Sequence, residues 1–253
     1  MNSFIKELRK RNSLLYFFGA YNFAAVIICA ILIQFDTRTV LGIDVWIKPL
    51  KFFLSVGILS WTMAWYLDYL TRKKAVKRYS RFLVFSLFCE TSIISLQSAR
   101  GIRSHFNLTS PLNSILFNIM GVLIAFFVLY TAYICYLFFK QKQFNLPMVY
   151  VWGIRIGLIF FIIFSFEGGV MVRHLGHTVG GEDGGPGIPL LNWSTLYGDL
   201  RIAHFLGMHS LQIIPFCAYY ITKTKASLII LSLIYLLVVS SILVISLRGI
   251  SLV

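Results

Sequence analysis

The chain has 253 residues, of which 58% are hydrophobic, 16% aromatic and only 13% charged, and its mean hydropathy is +0.80. That composition lies far outside the soluble range and excludes a water-soluble globular domain. The formal net charge of +14 would suggest nucleic acid in a soluble chain, but no nucleic-acid motif accompanies it, and its distribution between alternate loops reads as a membrane-topology signal.

Seven apolar stretches approach the roughly 20 residues that cross about 30 Å of hydrocarbon as a helix. They lie near residues 14–33, 50–70, 81–99, 114–139, 147–166, 200–221 and 226–247, and none alternates polar and apolar residues as barrel strands do. The fold class expected is all-α: a polytopic transmembrane helical bundle, one membrane domain over 1–253, with a Gly-rich loop at 168–198. The first helix follows basic residues as a signal peptide would, but its long apolar run without a small-residue cleavage site reads as a retained helix. Lys and Arg concentrate before the first helix and in the second, fourth and sixth connections, with six of them between Arg72 and Arg81. The positive-inside rule then puts the N-terminus in the cytoplasm and the C-terminus outside. Cys29, Cys89, Cys135 and Cys217 fall inside the helices without CxxC spacing and read as core residues.

With this topology the unusual residues collect on the outer side. There lie Trp46-Ile47-Lys48-Pro49-Leu50-Lys51-Phe52, the segment Gln97 to Asn107 with Arg100, Ser104 and His105, and the Gly-rich loop with Arg173, His174, His177, Glu182 and Asp183. On the third helix Ser86, Glu90, Gln97, Gly101 and Ser104 share a face, provided the helix continues past Arg100. On the second, Lys51, Ser55, Thr62 and Tyr69 do likewise. On the sixth, Arg201, His204, Met208, His209 and Gln212 fall within an arc of about 140°. Glu90 and His209 sit about ten residues from the outer ends of their helices, near the midplane, and Asn22 and Arg155 reach similar depth from the other side. Ionisable groups at that depth are costly and mark functional sites. An ionised Glu90 needs a partner such as Arg155 or a protonated His209; the alternative is a neutral Glu90, which would suit a proton carrier. Interhelical hydrogen bonding is the competing role for Glu90, Arg155, Asn22 and Gln212.

The strings Trp46-x-Lys48-Pro49-x-Lys51-Phe52, Gln97-x-x-Arg100-Gly101-x-x-Ser104-His105-Phe106-Asn107 and Gly198-Asp199-Leu200-Arg201-x-x-His204-Phe205-x-Gly207-x-His209-x-Leu211-Gln212 resemble those of a family of bacterial multi-pass membrane proteins with no established activity. The resemblance covers most of the chain from the second helix to the sixth and implies a bacterial cytoplasmic (inner) membrane setting, without a mechanism. Familiar seven-helix classes fail on residues: no lysine stands in the last helix for a retinal Schiff base, no GxSG motif marks an intramembrane serine protease, and five histidines are too few for a membrane desaturase.

Three functions remain as expectations. The first is a metal-dependent enzyme acting on a lipid or other amphipathic small molecule. In it His105, His204, His174 and His177 supply ligands for zinc or another transition metal, and Glu90, Asp199 and His209 do acid–base work. Lys51, Gln97, Arg100, Arg201 and Gln212 hold the substrate. The second is a haem protein with histidines on two helices. The third is a transporter, channel or sensor with Glu90, Arg155 and His209 as a midplane relay. The first is preferred because polar residues cluster outside and the inner halves show little polar trail beyond Arg155 and Asn22. Membrane lipids are the expected partners, and nucleic acid is not.

Overall fold

The computed structural model describes residues 2–253. In chain order its elements are α1 (Asn2–Arg11), α2 (Ser13–Phe35), β1 (Thr39–Val40), β2 (Ile43–Asp44), α3 (Ile47–Leu67), α4 (Lys73–Ala99), α5 (Pro111–Lys140), α6 (Met148–His174), β3 (Thr178–Val179), β4 (Gly198–Asp199), α7 (Leu200–Tyr220) and α8 (Lys225–Leu247). Every apolar stretch of the sequence is a helix, α2 to α8 in order. Six of them, α2 to α6 and α8, are long and apolar enough to cross a membrane, so the chain is a multi-pass helical membrane protein. The 21-residue α7 is long enough, but Arg201, His204, His209 and Gln212 dilute its hydropathy. The chain divides into two compact units, the first ending at Tyr130 and the second starting at Thr131, and α5 contributes to both.

In the first unit α1 is a short amphipathic helix. It buries Leu8, stacks Phe4 on Trp65 at 5.4 Å, and lays Arg11 over Trp65 at 4.0 Å while pairing it with Glu7 at 2.9 Å. Asn12 caps α2, accepting from the Leu15 N–H, and donates from Nδ2 to Ser80 Oγ at 2.8 Å. Higher up, Tyr21 meets Phe88 at 6.0 Å. These two contacts keep α2 and α4 parallel and in step, so Asn22 stands at the level of Glu90. The α3 helix runs antiparallel to α2, with Trp61 against Tyr16 and Phe53 against Tyr21. Gly19 lies under Trp61 and Gly57 under Phe23, where a Cβ would overlap the facing ring.

Helix α4 begins at Lys73, eight residues before the apolar stretch does. The basic run is therefore not a connection: Lys74, Lys77, Arg78 and Arg81 form an exposed stripe, while Val76, Tyr79 and Ser80 face inward. Lys and Arg are good helix formers, and a hydropathy window discards them only because they are charged. The helix ends at Ala99, not past Arg100. Gly101, at φ +68°, donates to Ser98 O at 2.9 Å, and Ile102 N–H bonds Gln97 O at 3.0 Å. This left-handed C-cap reverses the chain.

In the second unit α6 and α7 pack through small residues. Gly157 lies so close to α7 that a Cβ would stand 3.0 Å from Ser210 O, and one on Gly207 would overlap Phe164. Phe160, Phe164, Ala203, Ile214, Ala218, Leu228 and Val239 form the core with α8, whose N-terminus carries a Thr224–Ser227 capping box. Helix α6 continues through Gly168 and Gly169 to His174, so the loop expected from 168 begins at Leu175. Glycine is tolerated inside membrane helices, where neighbours rather than propensity hold the backbone. The segment that follows is folded: β3 pairs with β4, and Gly187 bridges Ser194.

Candidate functional site

The turn at Gly101 brings His105 back onto the buried face of α4, where its Nε2 lies 3.3 Å from Glu90 Oε1. From α3, one turn before Lys51, Lys48 brings its Nζ to 3.2 Å from His105 Nδ1. An ammonium can only donate, so Nδ1 is the acceptor and Nε2 carries the hydrogen that Glu90 accepts. The Ser104 hydroxyl stands 3.1 Å from the same Nδ1. Phe52, Phe106 and Phe117 surround the ring at centroid distances of 5.7, 6.1 and 6.1 Å. Glu90 is 3% exposed, and its second oxygen has no hydrogen-bond partner. Nor has Ser86 Oγ, one turn deeper, or Asn22 Oδ1 at the level of Glu90. The result is a directed chain, Lys48 to His105 to Glu90, that ends in unpartnered buried oxygens.

Burial first, and the Lys48 ammonium second, push the His105 imidazole below its ordinary range, against the pull of Glu90. On acidification the unfolded chain protonates this histidine at about pH 6.5, while the folded chain does so only at lower pH. The unfolded state then binds more protons, so this group costs nothing above that range and lowers stability as pH falls through it. His105→Gln is expected to flatten the fall in thermal midpoint between about pH 7 and about pH 5. An acid slope equal to wild type would show that other groups set it.

Beside this chain two of the expected substrate-binding residues, Gln97 and Arg100, bind one another. Gln97 donates to Asn113 Oδ1 at 3.1 Å and accepts from Arg100 at 2.6 Å, and Arg100 also reaches Asn113 Oδ1 at 3.2 Å. The triad ties the end of α4 to the start of α5. Arg38 bonds Ala99 O and pairs with Asp36, which also accepts from Trp46 Nε1.

In the second unit Asp199 is 1% exposed and caps α7. It accepts from the Arg201 and Ser194 N–H groups and pairs with the Arg201 guanidinium, which also donates to Asn192 O. These bonds anchor the loop. Asp183 accepts from the backbone of His177 and Thr178 and from His177 Nδ1 at 2.6 Å. Burial alone would raise the Asp183 carboxyl, but the bonds from His177 and Thr178 outweigh it and hold the group well below the usual carboxylate range. His174 is the exposed last residue of α6. His209 stacks on Phe205 at 4.3 Å and bonds Gln212. Arg155 reaches the end of α5, donating to Phe138 O and Gln141 O at 2.8–3.2 Å and lying over Trp152 and Phe139. It satisfies helix-end carbonyls rather than Glu90.

Among the described residues no three His, Cys, Asp or Glu side chains come together to hold a metal ion. Both nitrogens of His105 are engaged by Lys48, Ser104 and Glu90, and His177 is tied to Asp183. Two functional candidates emerge only from the structure. Lys48 lies in a sequence motif that by itself gives it no role. Glu167 falls at the edge of an apolar run, where the sequence pattern suggests the start of a loop, although a carboxyl in that setting is itself a signal. Comparison with protein-family models, with curated proteins and with solved structures finds no match.

Proposed function

We propose that the chain is a seven-span protein of the bacterial cytoplasmic membrane, N-terminus inside, that moves protons through its first unit. One observation carries this reading: polar side chains recur along the buried face of α4, alternating with Leu83, Leu87 and Ile94. Gln97, Glu90, Ser86 and Ser80 are each at most 3% exposed, and together they cover about 25 Å of a helix that must span about 30 Å. The inner half therefore holds two buried hydroxyls, Ser86 and Ser80, on either side of Leu83, with Asn12 joined to Ser80. In operation the Lys48 ammonium passes a proton to His105 Nδ1, and the ring gives up its Nε2 proton to Glu90. Glu90 then stands as a neutral acid whose second oxygen is buried and unpartnered, one helical turn above Ser86. The parallel α2 and α4 and the antiparallel α3 fit alternate crossings, and the exposed basic stripe of α4 fits the cytoplasmic side.

The test uses purified protein in vesicles with an internal pH dye, driven by a potassium diffusion potential. Wild type is expected to carry protons at a rate an order of magnitude or more above Glu90→Gln, with His105→Ala equally inactive. Wild-type vesicles no leakier than empty ones would end the proposal.

A second reading uses the same residues as a hydroxyl–imidazole–carboxylate set for acyl transfer, because Ser104 Oγ contacts His105 Nδ1. Ser104→Ala separates the two. It leaves proton flux intact if Lys48 is the donor, and it removes ester hydrolysis if Ser104 is a nucleophile. Neither reading routes a step through a metal or haem.

A further inference from the structure

Of the nine acidic residues in the chain, Glu167 is set apart. It lies seven residues before the end of α6 and is 5% exposed, and neither carboxylate oxygen has a hydrogen-bond partner. Glu7, Asp36, Asp68, Glu90, Asp183 and Asp199 are all paired with a basic side chain. Asp44 caps the Trp46 N–H, and Glu182 is exposed. A buried, unpaired carboxylate costs several kcal/mol, so this position calls for a positive charge or a proton.

The neighbouring groups supply one acceptor and no cation within ion-pair distance of Glu167. His204 on α7 lies against the turn of α6 that carries Glu167. Its Nδ1 is 2.8 Å from Phe164 O, and a Cβ on Gly168 would stand 3.7 Å from its Cε1. A carbonyl can only accept, so Nδ1 carries the hydrogen and Nε2 keeps a lone pair. On α7, Arg201 is held by Asp199. On α8, the Tyr235 hydroxyl donates to Leu206 O, Lys225 sits over Trp152, and Arg248 follows the last turn. On α6 itself Arg173 and His174 come nearly two turns later and are exposed.

We propose that Glu167 is a proton-binding site whose ligand is one exchangeable proton, held on its carboxyl, with His204 on the facing turn of α7 as the neighbouring base, beyond ion-pair distance. With the proton the site is neutral, and without it the site is a bare buried charge. The site belongs to the second unit and uses nothing of the Lys48–His105–Glu90 chain, so its test is independent of the flux assay.

That test is infrared spectroscopy of the full chain in lipid nanodiscs during a pH change. A protonated-carboxyl C=O band is expected at neutral pH that disappears in Glu167→Gln, survives in Glu90→Gln, and shifts its pH dependence in His204→Gln. Glu167→Gln mimics the neutral acid and is expected to unfold at the wild-type temperature, which keeps the comparison free of misfolding. If Glu167→Gln removes no such band, Glu167 does not hold the proton. If replacing sodium and potassium by choline lowers the unfolding temperature of wild type but not of Glu167→Gln, a metal cation occupies the site and the proposal is overturned.

Discussion

His105→Ala is expected to destabilise the folded protein by about 3 kcal/mol, and adding Glu90→Gln to recover most of that loss. The alanine removes the imidazole N–H that faces Glu90 Oε1, leaving a carboxylate that is 3% exposed without its partner. Breaking a buried charged contact from one side costs the desolvation of the group left behind, not just the bond. The amide that replaces the carboxylate in the double variant carries no charge and can bond within its own helix, so the penalty falls. Denaturation of the detergent-solubilised single and double variants measures the coupling. A single variant as stable as wild type, or a double variant no better than the single, would mean that Glu90 is not held by His105. The double variant should remain dead in the proton-flux assay, which separates the fold's need for this pair from its use in transfer.

What makes the helices legible is length against hydropathy: α2, α3, α5 and α8 are apolar runs of the span length, and no alternative fold satisfies their backbone in a bilayer. The same criterion misplaces the start of α4, because six basic residues hide two helical turns whose buried side, Val76, Tyr79 and Ser80, continues the face of Glu90. The candidate site is legible only in part. Helical spacing groups Ser86, Glu90 and Gln97 correctly, but Gly101 and Ser104 join that stripe only on the premise of a continuing helix. The structure ends the helix at Ala99, and it is the reversal at Gly101 that delivers His105 to Glu90. The glycine is visible in the sequence, but where the reversed chain lands depends on tertiary packing. Arg155 shows a similar limit. Counting residues gives the depth of its Cα, whereas its long side chain carries the charge to the carbonyls at the end of α5. In the Gly-rich segment the carboxylates look catalytic in sequence, yet Asp183 and Asp199 are spent on backbone N–H groups and on His177 and Arg201. A loop so short of regular structure needs such acceptors to fix its backbone.

Gly207→Val is expected to be the most damaging substitution in the second unit, costing about 3 kcal/mol, and Phe164→Ala to relieve part of it. A Cβ at position 207 overlaps Cγ of Phe164 and also its Cβ, which no rotamer can move aside. The two helices must therefore separate, and the bond from His204 Nδ1 to Phe164 O, which spans the same contact, must lengthen. Phe164 is also part of the core with Ala203 and Ile214, so separation exposes more than the contact itself. Truncating Phe164 to alanine removes the clashing Cγ and ring but keeps Cβ, at the cost of a cavity, again about 3 kcal/mol on its own, and in combination the valine methyls fill part of that space. The double variant is therefore expected to be more stable than the sum of the two losses, and thermal unfolding of the four proteins measures the difference. Strict additivity would show that α6 and α7 do not meet through this pair. A Gly207→Val variant that folds normally but loses the His204 dependence of the Glu167 infrared band would locate the damage at the contact of His204 with Phe164 O rather than in the packing.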